Sequence, residues 1–233
     1  MAELGAIVGE SGSGKSTSLR NLDPKETFII NVARKALPFK GRKKNYKELT
    51  VDPETHKYVG NLYNTSSVEQ IAKVLKLIDK TMPNVKQVII DDSQYLMSFE
   101  AMDRASEKGY EKFTKIAQHF FSVLKEAMDM REDLKVFILT HAENTGDNLN
   151  PNFKIKTIGK MIDNMITVEG LFTYVLFTTR IKDDDGVLHY KFMTQSDGTT
   201  TAKTPMGCFE SNLIDNDLQY VFAQMDKYNN DEE

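Results

Sequence analysis

Apolar and polar positions along the chain fall into short blocks of two kinds. Leu4–Val8 is a brief apolar run that stops at Gly9. Thr27–Val32 (TFIINV), Val85–Ile90 (VKQVII) and Leu134–Leu139 (LKVFIL) repeat the pattern with β-branched and aromatic residues. Apolar runs of this length read as strands buried on both faces, as in a parallel sheet. Between them the apolar residues recur at helical spacing. Val68, Ile71, Ala72, Leu75 and Ile78 mark one face of a helix that Ser67 caps and that runs to about Lys80. Ser93–Ser106 and Tyr110–Met130 predict two more helices around Gly109. The second carries Phe113, Ile116, Phe120 or Phe121, Leu124 and Met128 on one stripe, which reads as core. Ser16–Leu22 predicts a helix that Asp23-Pro24 breaks, and Ile155–Asp163 a short one. Thr173–Thr179 and Val187–Thr194 are β-rich runs joined across Lys182-Asp183-Asp184-Asp185-Gly186, a hairpin signal.

Strands alternating with helices, then a hairpin, predict an α/β fold. The expected form is a mainly parallel sheet flanked by helices, with a C-terminal antiparallel hairpin extension. No repeat and no Ser/Gly linker divides the 233 residues, so residues 1–225 are expected to form one domain and 226–233 (DKYNNDEE) an acidic flexible tail. Residues 34–57 stand apart. Eight Lys or Arg against Glu48, Asp52 and Glu54 give this segment a charge of +5 in a chain of −4. It reads as a basic surface insertion. Tyr46 lies among its lysines, as a base-stacking residue would.

Composition removes some chemistries. A single cysteine, Cys208, allows no intrachain disulfide and no multi-cysteine metal site, and the four histidines are scattered. No stretch approaches ~18 consecutive apolar residues, and Met1–Gly9 is short and weakly charged for a signal peptide. A soluble, cytoplasmic protein with no membrane partner is expected. The overall negative charge leaves nucleic-acid contact to the local basic patch or to assembly.

Candidate chemistry begins at the end of the first apolar run. Gly9-Glu10-Ser11-Gly12-Ser13-Gly14-Lys15-Ser16 matches G-x-x-x-x-G-K-[ST], with a strand expected before it and a helix after it. Such a loop curls its N–H groups around phosphate oxygens. Lys15 reaches the terminal phosphates, the Ser16 hydroxyl is a hard ligand for Mg2+, and Thr17 completes the binding stretch. Val88-Ile89-Ile90-Asp91-Asp92 supplies carboxylates at a strand end. Asp91 is the candidate partner of Mg2+. Asp92 is placed either to polarise the attacking water or to cap the following helix. His141, after Thr140 at the end of the fourth apolar run, is a candidate sensor of the terminal phosphate or a histidine satisfied at a strand end. Glu143 is a further candidate for activating water.

The order of these pieces resembles the RecA-like P-loop ATPases, in particular the phage-encoded AAA-domain or RecA-core group that includes single-strand annealing and recombination proteins. The likeness rests on GESGSGKST (9–17), DPKETFIINV (23–32), VIIDDS (88–93), LTHAEN (139–144) and the β-rich stretch leading to TAKTPMG (201–207), and covers nearly the whole chain. It implies ATP and Mg2+ as cofactors, ATP hydrolysis, assembly into a homo-oligomeric ring or filament, and action in DNA recombination, annealing or replication in the cytoplasm of a bacterial host. It also implies single-stranded DNA as partner, with a single-strand-binding protein alongside. In RecA-like assemblies a Lys/Arg pair after a late hairpin reaches the neighbouring subunit's nucleotide. By resemblance Lys203 holds that place. The expected Arg is Pro205 here, and Arg180 is a possible substitute.

Two other classes share the loop. A nucleotide kinase needs arginines clustered in a lid, and Arg20, Arg34, Arg42, Arg104, Arg131 and Arg180 form no close cluster in sequence. A nucleotide-dependent switch that binds a protein partner suits the acidic surface. No N-K-x-D stretch occurs, so adenine is favoured over guanine.

Overall fold

The computed structural model describes residues 1–147, 149–158 and 166–230. Its strands are β1 (Glu3–Gly9), β2 (Thr27–Asn31), β3 (Thr50–Val51), β4 (Tyr58–Val59), β5 (Leu62–Asn64), β6 (Gln87–Asp91), β7 (Lys135–Asn144), β8 (Phe153–Ile155), β9 (Tyr174–Lys182), β10 (Leu188–Met193) and β11 (Leu213–Asp215). The α-helices are α1 (Arg42–Asn45), α2 (Val68–Thr81), α3 (Gln94–Asp103), α4 (Glu111–Met128) and α5 (Leu218–Asn229). Short 3-10 helices cover Ser16–Asn21 and Val168–Leu171.

The main sheet runs β11-β10-β9-β1-β7-β6-β2-β5, with β8 added to β7. From β9 to β5 neighbouring strands are parallel. β10, β11 and β8 pair antiparallel. The expected mainly parallel α/β sheet with an antiparallel hairpin extension is present, and β7 lies between β1 and β6.

Alternation along the buried strands divides their side chains between two cores. Ala6, Val8, Ile30, Val88, Ile90, Val136 and Ile138 face one core, with Ile71 and Leu75 of α2 and Ile116, Phe120 and Leu124 of α4. Ile7, Ile29, Ile89, Phe137 and Leu139 face the other, with Leu19 and with Leu218, Val221 and Phe222 of α5. Both faces are covered, which is why these strands read as unbroken apolar runs. Phe137 meets Phe222 edge-on at 5.0 Å between centroids. Phe137 also lies over Gly5, where an added Cβ would stand 2.2 Å from its ring. The Ser67 side chain accepts from the Gln70 N–H and caps α2 as its position predicts.

Several expectations need correction. The helix after Gly9–Lys15 is six residues of 3-10 helix with no side-chain cap, so its dipole is short. Tyr46 is 5% exposed, packs edge-on with Phe39 and belongs to a core. Its ring is taken up by the protein and is closed to stacking on a base. The basic segment is otherwise largely exposed, and it contains α1 and the β3–β4 hairpin. The tail begins later than its composition suggests. α5 continues to Asn229, Met225 is fully buried, and Asp226 pairs with Lys135. Ile155 ends a strand and 156–158 are not helical, while residues 159–163 of the expected short helix lie outside the described residues. Among the described residues no helix is long and apolar enough to cross a membrane.

Candidate functional site

Parallel strands deliver their carboxyl ends to one edge of the sheet, where loops gather into a crevice. Here the register places Gly9 opposite His141 and Asn31 opposite Asp91. The loop after β1, the Asp91-Asp92 end of β6, His141 in β7 and the segment after β2 therefore meet at one rim. A cleft of about 470 Å³ opens there, lined on this side by Lys15, Ser16, Lys35, Asp92 and His141.

The glycine-rich loop takes shapes that glycine permits. Gly12 and Gly14 have φ of +75° and +96°, and a Cβ on Gly14 would approach Tyr190 to 3.0 Å. The loop is also pinned from outside. The Ser13 hydroxyl donates to the Glu10 carbonyl at 2.7 Å, and the Thr178 hydroxyl of β9 donates to Ser13 Oγ at 2.6 Å. Lys15 folds back over its own loop, where Nζ donates to the carbonyls of Gly9 and Glu10, both at 2.8 Å. Burial lowers its pKa to about 8, against the pull of Asp92 and Asp91. The ammonium is held by neutral carbonyls, which an anion can displace.

Ser16 Oγ donates to Asp91 Oδ1 at 2.9 Å. Burial, with the Asp92 charge beside it, pushes the Asp91 pKa up to about 6. Among the described residues no three His, Cys, Asp or Glu side chains converge on a metal position. Two hard oxygens, from Ser16 and Asp91, suit Mg2+, which draws its remaining ligands from water and phosphate.

Asp92 is 3% exposed at its side chain, and its backbone holds φ +59°, a costly conformation for a residue with a side chain. Its Oδ2 lies 2.6 Å from Lys35 Nζ in an ion pair, and its Oδ1 lies 3.7 Å from His141 Nε2. Burial favours the neutral acid, but His141 and Lys35 outweigh it and hold the Asp92 pKa below the ordinary value. Burial likewise opposes the Lys35 charge, and the bond to Asp92 wins, raising its pKa. α3 starts at Ser93 without a side-chain cap, so the Asp92 side chain does not cap it. Two buried polar atoms at this rim, Thr140 Oγ1 and His141 Nε2, lack hydrogen-bond partners. Unsatisfied groups of this kind are costly in a core and suit a site that receives a polar ligand.

The other expected residues lie elsewhere. Glu143 pairs with Lys154 at 3.5 Å, further along β7. Lys203 bonds through its backbone to Val175, early in β9 and away from the loop end of the sheet. Arg180 Nη2 lies 3.5 Å from Glu10 Oε2, on the opposite flank of the loop from Asp92.

Sequence reading missed seven of the lining residues, among them Lys35, Arg20, Tyr190 and Asn216. Lys35 follows β2 just beyond its carboxyl end, and that position was a usable signal. Arg20, Tyr190 and Asn216 line the opposite end of the cleft. Asn216 Nδ2 is buried without a partner, the Asn216 N–H donates to the Tyr190 carbonyl, and Arg20 donates to the Asn216 carbonyl at 2.5 Å. Nothing local in the sequence joins these three, since 196 residues separate Arg20 from Asn216. No protein-family model matches the chain, and no curated protein matches it.

Proposed function

We propose that the chain is a Mg2+-dependent P-loop ATPase of RecA-like type. The observation that carries this reading is the meeting of Lys15, Ser16 and Asp91 at the carboxyl ends of β1 and β6, with Ser16 and Asp91 in hydrogen-bond contact. The Lys15 ammonium moves from its loop carbonyls to phosphate oxygens. Ser16 and Asp91 would hold Mg2+, which would neutralise charge on the phosphates. Asp92 and His141 stand beside the terminal phosphate and orient water there. Tyr190, Asn216 and Arg20 take the nucleoside end, since an aromatic face and an unpartnered amide suit a base better than a phosphate.

The wider role follows the resemblance: DNA recombination, annealing or replication, by a ring or filament acting on single-stranded DNA. Exposed Lys40, Lys43, Lys44 and Lys47 support DNA contact through charge alone, because Tyr46 is in the core. Phosphate release from ATP, with and without Mg2+ and single-stranded DNA at two salt concentrations, tests both levels. Mg2+-dependent release is expected, stimulated by DNA most strongly at low salt. Release without DNA binding at low salt would retain the ATPase and remove the DNA role.

A further inference from the structure

Lys35 has a setting that simple neutralisation of Asp92 does not require. Its backbone is anchored by Asn31, whose Nδ2 donates to the Lys35 carbonyl at 2.7 Å and to Asn64 Oδ1 at 2.8 Å. The preceding residue, Arg34, holds φ +55°. Among the described residues three non-glycine positions have positive φ, and two of them, Arg34 and Asp92, bracket this one ion pair. The third, His56, lies in the turn between β3 and β4. Backbone conformations of this cost persist where the surroundings enforce them, and they cluster at sites that bind or react. The pair is also lopsided. The Asp92 side chain is 3% exposed, but that of Lys35 is 61% exposed and lines the cleft. A cation so open to solvent is weakly committed to its partner and free to turn toward another anion.

We infer that Lys35 is a phosphate-contacting residue supplied by the chain's own cleft, an inference that rests on the nucleotide reading above. In the free protein its ammonium is parked on Asp92. When a nucleoside triphosphate enters, the terminal phosphate takes the ammonium, and Asp92 is left facing His141 and the water between them and the ligand. The cation that RecA-like assemblies draw from a neighbour is then present within one chain, and the distance of Lys203 from the loop end of its own cleft carries no penalty.

The test compares ATP with ADP, because only ATP carries the terminal phosphate. Affinities are measured with Mg2+ for wild type, Lys35→Met, Lys35→Arg and Asp92→Asn, together with turnover against protein concentration. Lys35→Met is expected to lose at least about tenfold in ATP affinity with ADP affinity unchanged. Lys35→Arg should recover part of that loss. Asp92→Asn, which removes the parking partner, should tighten ATP binding while slowing turnover. Wild-type turnover per chain should not depend on concentration. Unchanged ATP affinity in Lys35→Met, equal losses for ATP and ADP, weaker ATP binding in Asp92→Asn, or turnover that vanishes on dilution would each overturn the inference and leave the nucleotide site standing. Wild-type protein that binds neither nucleotide would overturn both.

Discussion

Ser16 Oγ and Asp91 Oδ1 are 2.9 Å apart although 75 residues separate them in the chain. The contact joins the loop after β1 to the end of β6 across the intervening β7. Asp91 is costly in this position. Its folded pKa of about 6 stands above the ordinary 3.8, so the folded state holds the proton more tightly between those values. Stability from this group is therefore full below about 3.8 and is lost as pH rises through about 6. At pH 7 the ionised Asp91 destabilises the metal-free fold. Asp91→Asn should raise the melting temperature of metal-free protein at pH 7 by ~2 °C or more, on a gain above about 1 kcal/mol. The same variant should lose the stabilisation that Mg2+ and ATP confer on wild type. Scanning fluorimetry with and without MgATP checks both, and a lower melting point in Asp91→Asn would count against the site as described.

Binding should depend on pH at two edges. In the proposed site Asp91 would have to be ionised to hold Mg2+, so affinity for MgATP should fall as pH drops below about 6. In the proposed site Lys15 would have to be charged to hold phosphate. With a free pKa of about 8 it has to take up a proton above that pH, and affinity falls as pH rises through it. A plateau between the two edges is expected from binding isotherms at pH 5 to 10. Asp91→Asn should bind MgATP weakly at every pH, without the plateau. A flat profile in wild type would contradict both assignments.

On the proposed reading, the Tyr190 end of the cleft should separate ATP from a bare phosphate chain. Tyr190→Ala should weaken ATP binding by at least about fivefold, the low end of what base stacking contributes. It should leave tripolyphosphate affinity unchanged, and Tyr190→Phe should bind ATP as wild type does. Competition by ATP and by tripolyphosphate against a fluorescent nucleotide measures the ratio. Equal losses for both ligands would move the base elsewhere.

Gly5→Ala probes the layer beneath the site. Its Cβ would stand 2.2 Å from the Phe137 ring, which is fully buried and packed on Phe222. Overpacking of this kind costs about 1–3 kcal/mol. Chemical denaturation should show a loss in that range, and a neutral substitution would mean that the two layers pack differently.

Much of the fold was legible because the strands are buried on both faces. Thr27–Asn31 and Gln87–Asp91 are unbroken buried runs, and no solvent-facing residue blurs their limits. α2 was legible from its cap and stripe. The loop residues and Asp91 were legible because their chemistry is local: a glycine spacing and an acid after four apolar residues. What escaped was set by long-range packing. Tyr46 looks like a surface residue among lysines, and packing takes it into a core where Phe39 meets its ring edge-on. Lys35 lies in the same basic stretch as the surface lysines, and its pairing with Asp92, next to the positive φ of Arg34, joins residues far apart in the chain. Asn216 and Tyr190 meet through the β10–β11 pairing, which no short pattern announces.

The most direct test of the central claim is calorimetric titration of MgATP into wild type and Lys15→Ala, with melting temperatures recorded alongside. The Lys15 side chain is held by two loop carbonyls and engages no acid directly, so its removal should leave the fold intact. Wild type should bind MgATP at one site per chain, and Lys15→Ala should bind at least about a hundredfold more weakly at an unchanged or higher melting temperature. MgATP binding of equal strength in both proteins, or none in wild type, would contradict the account.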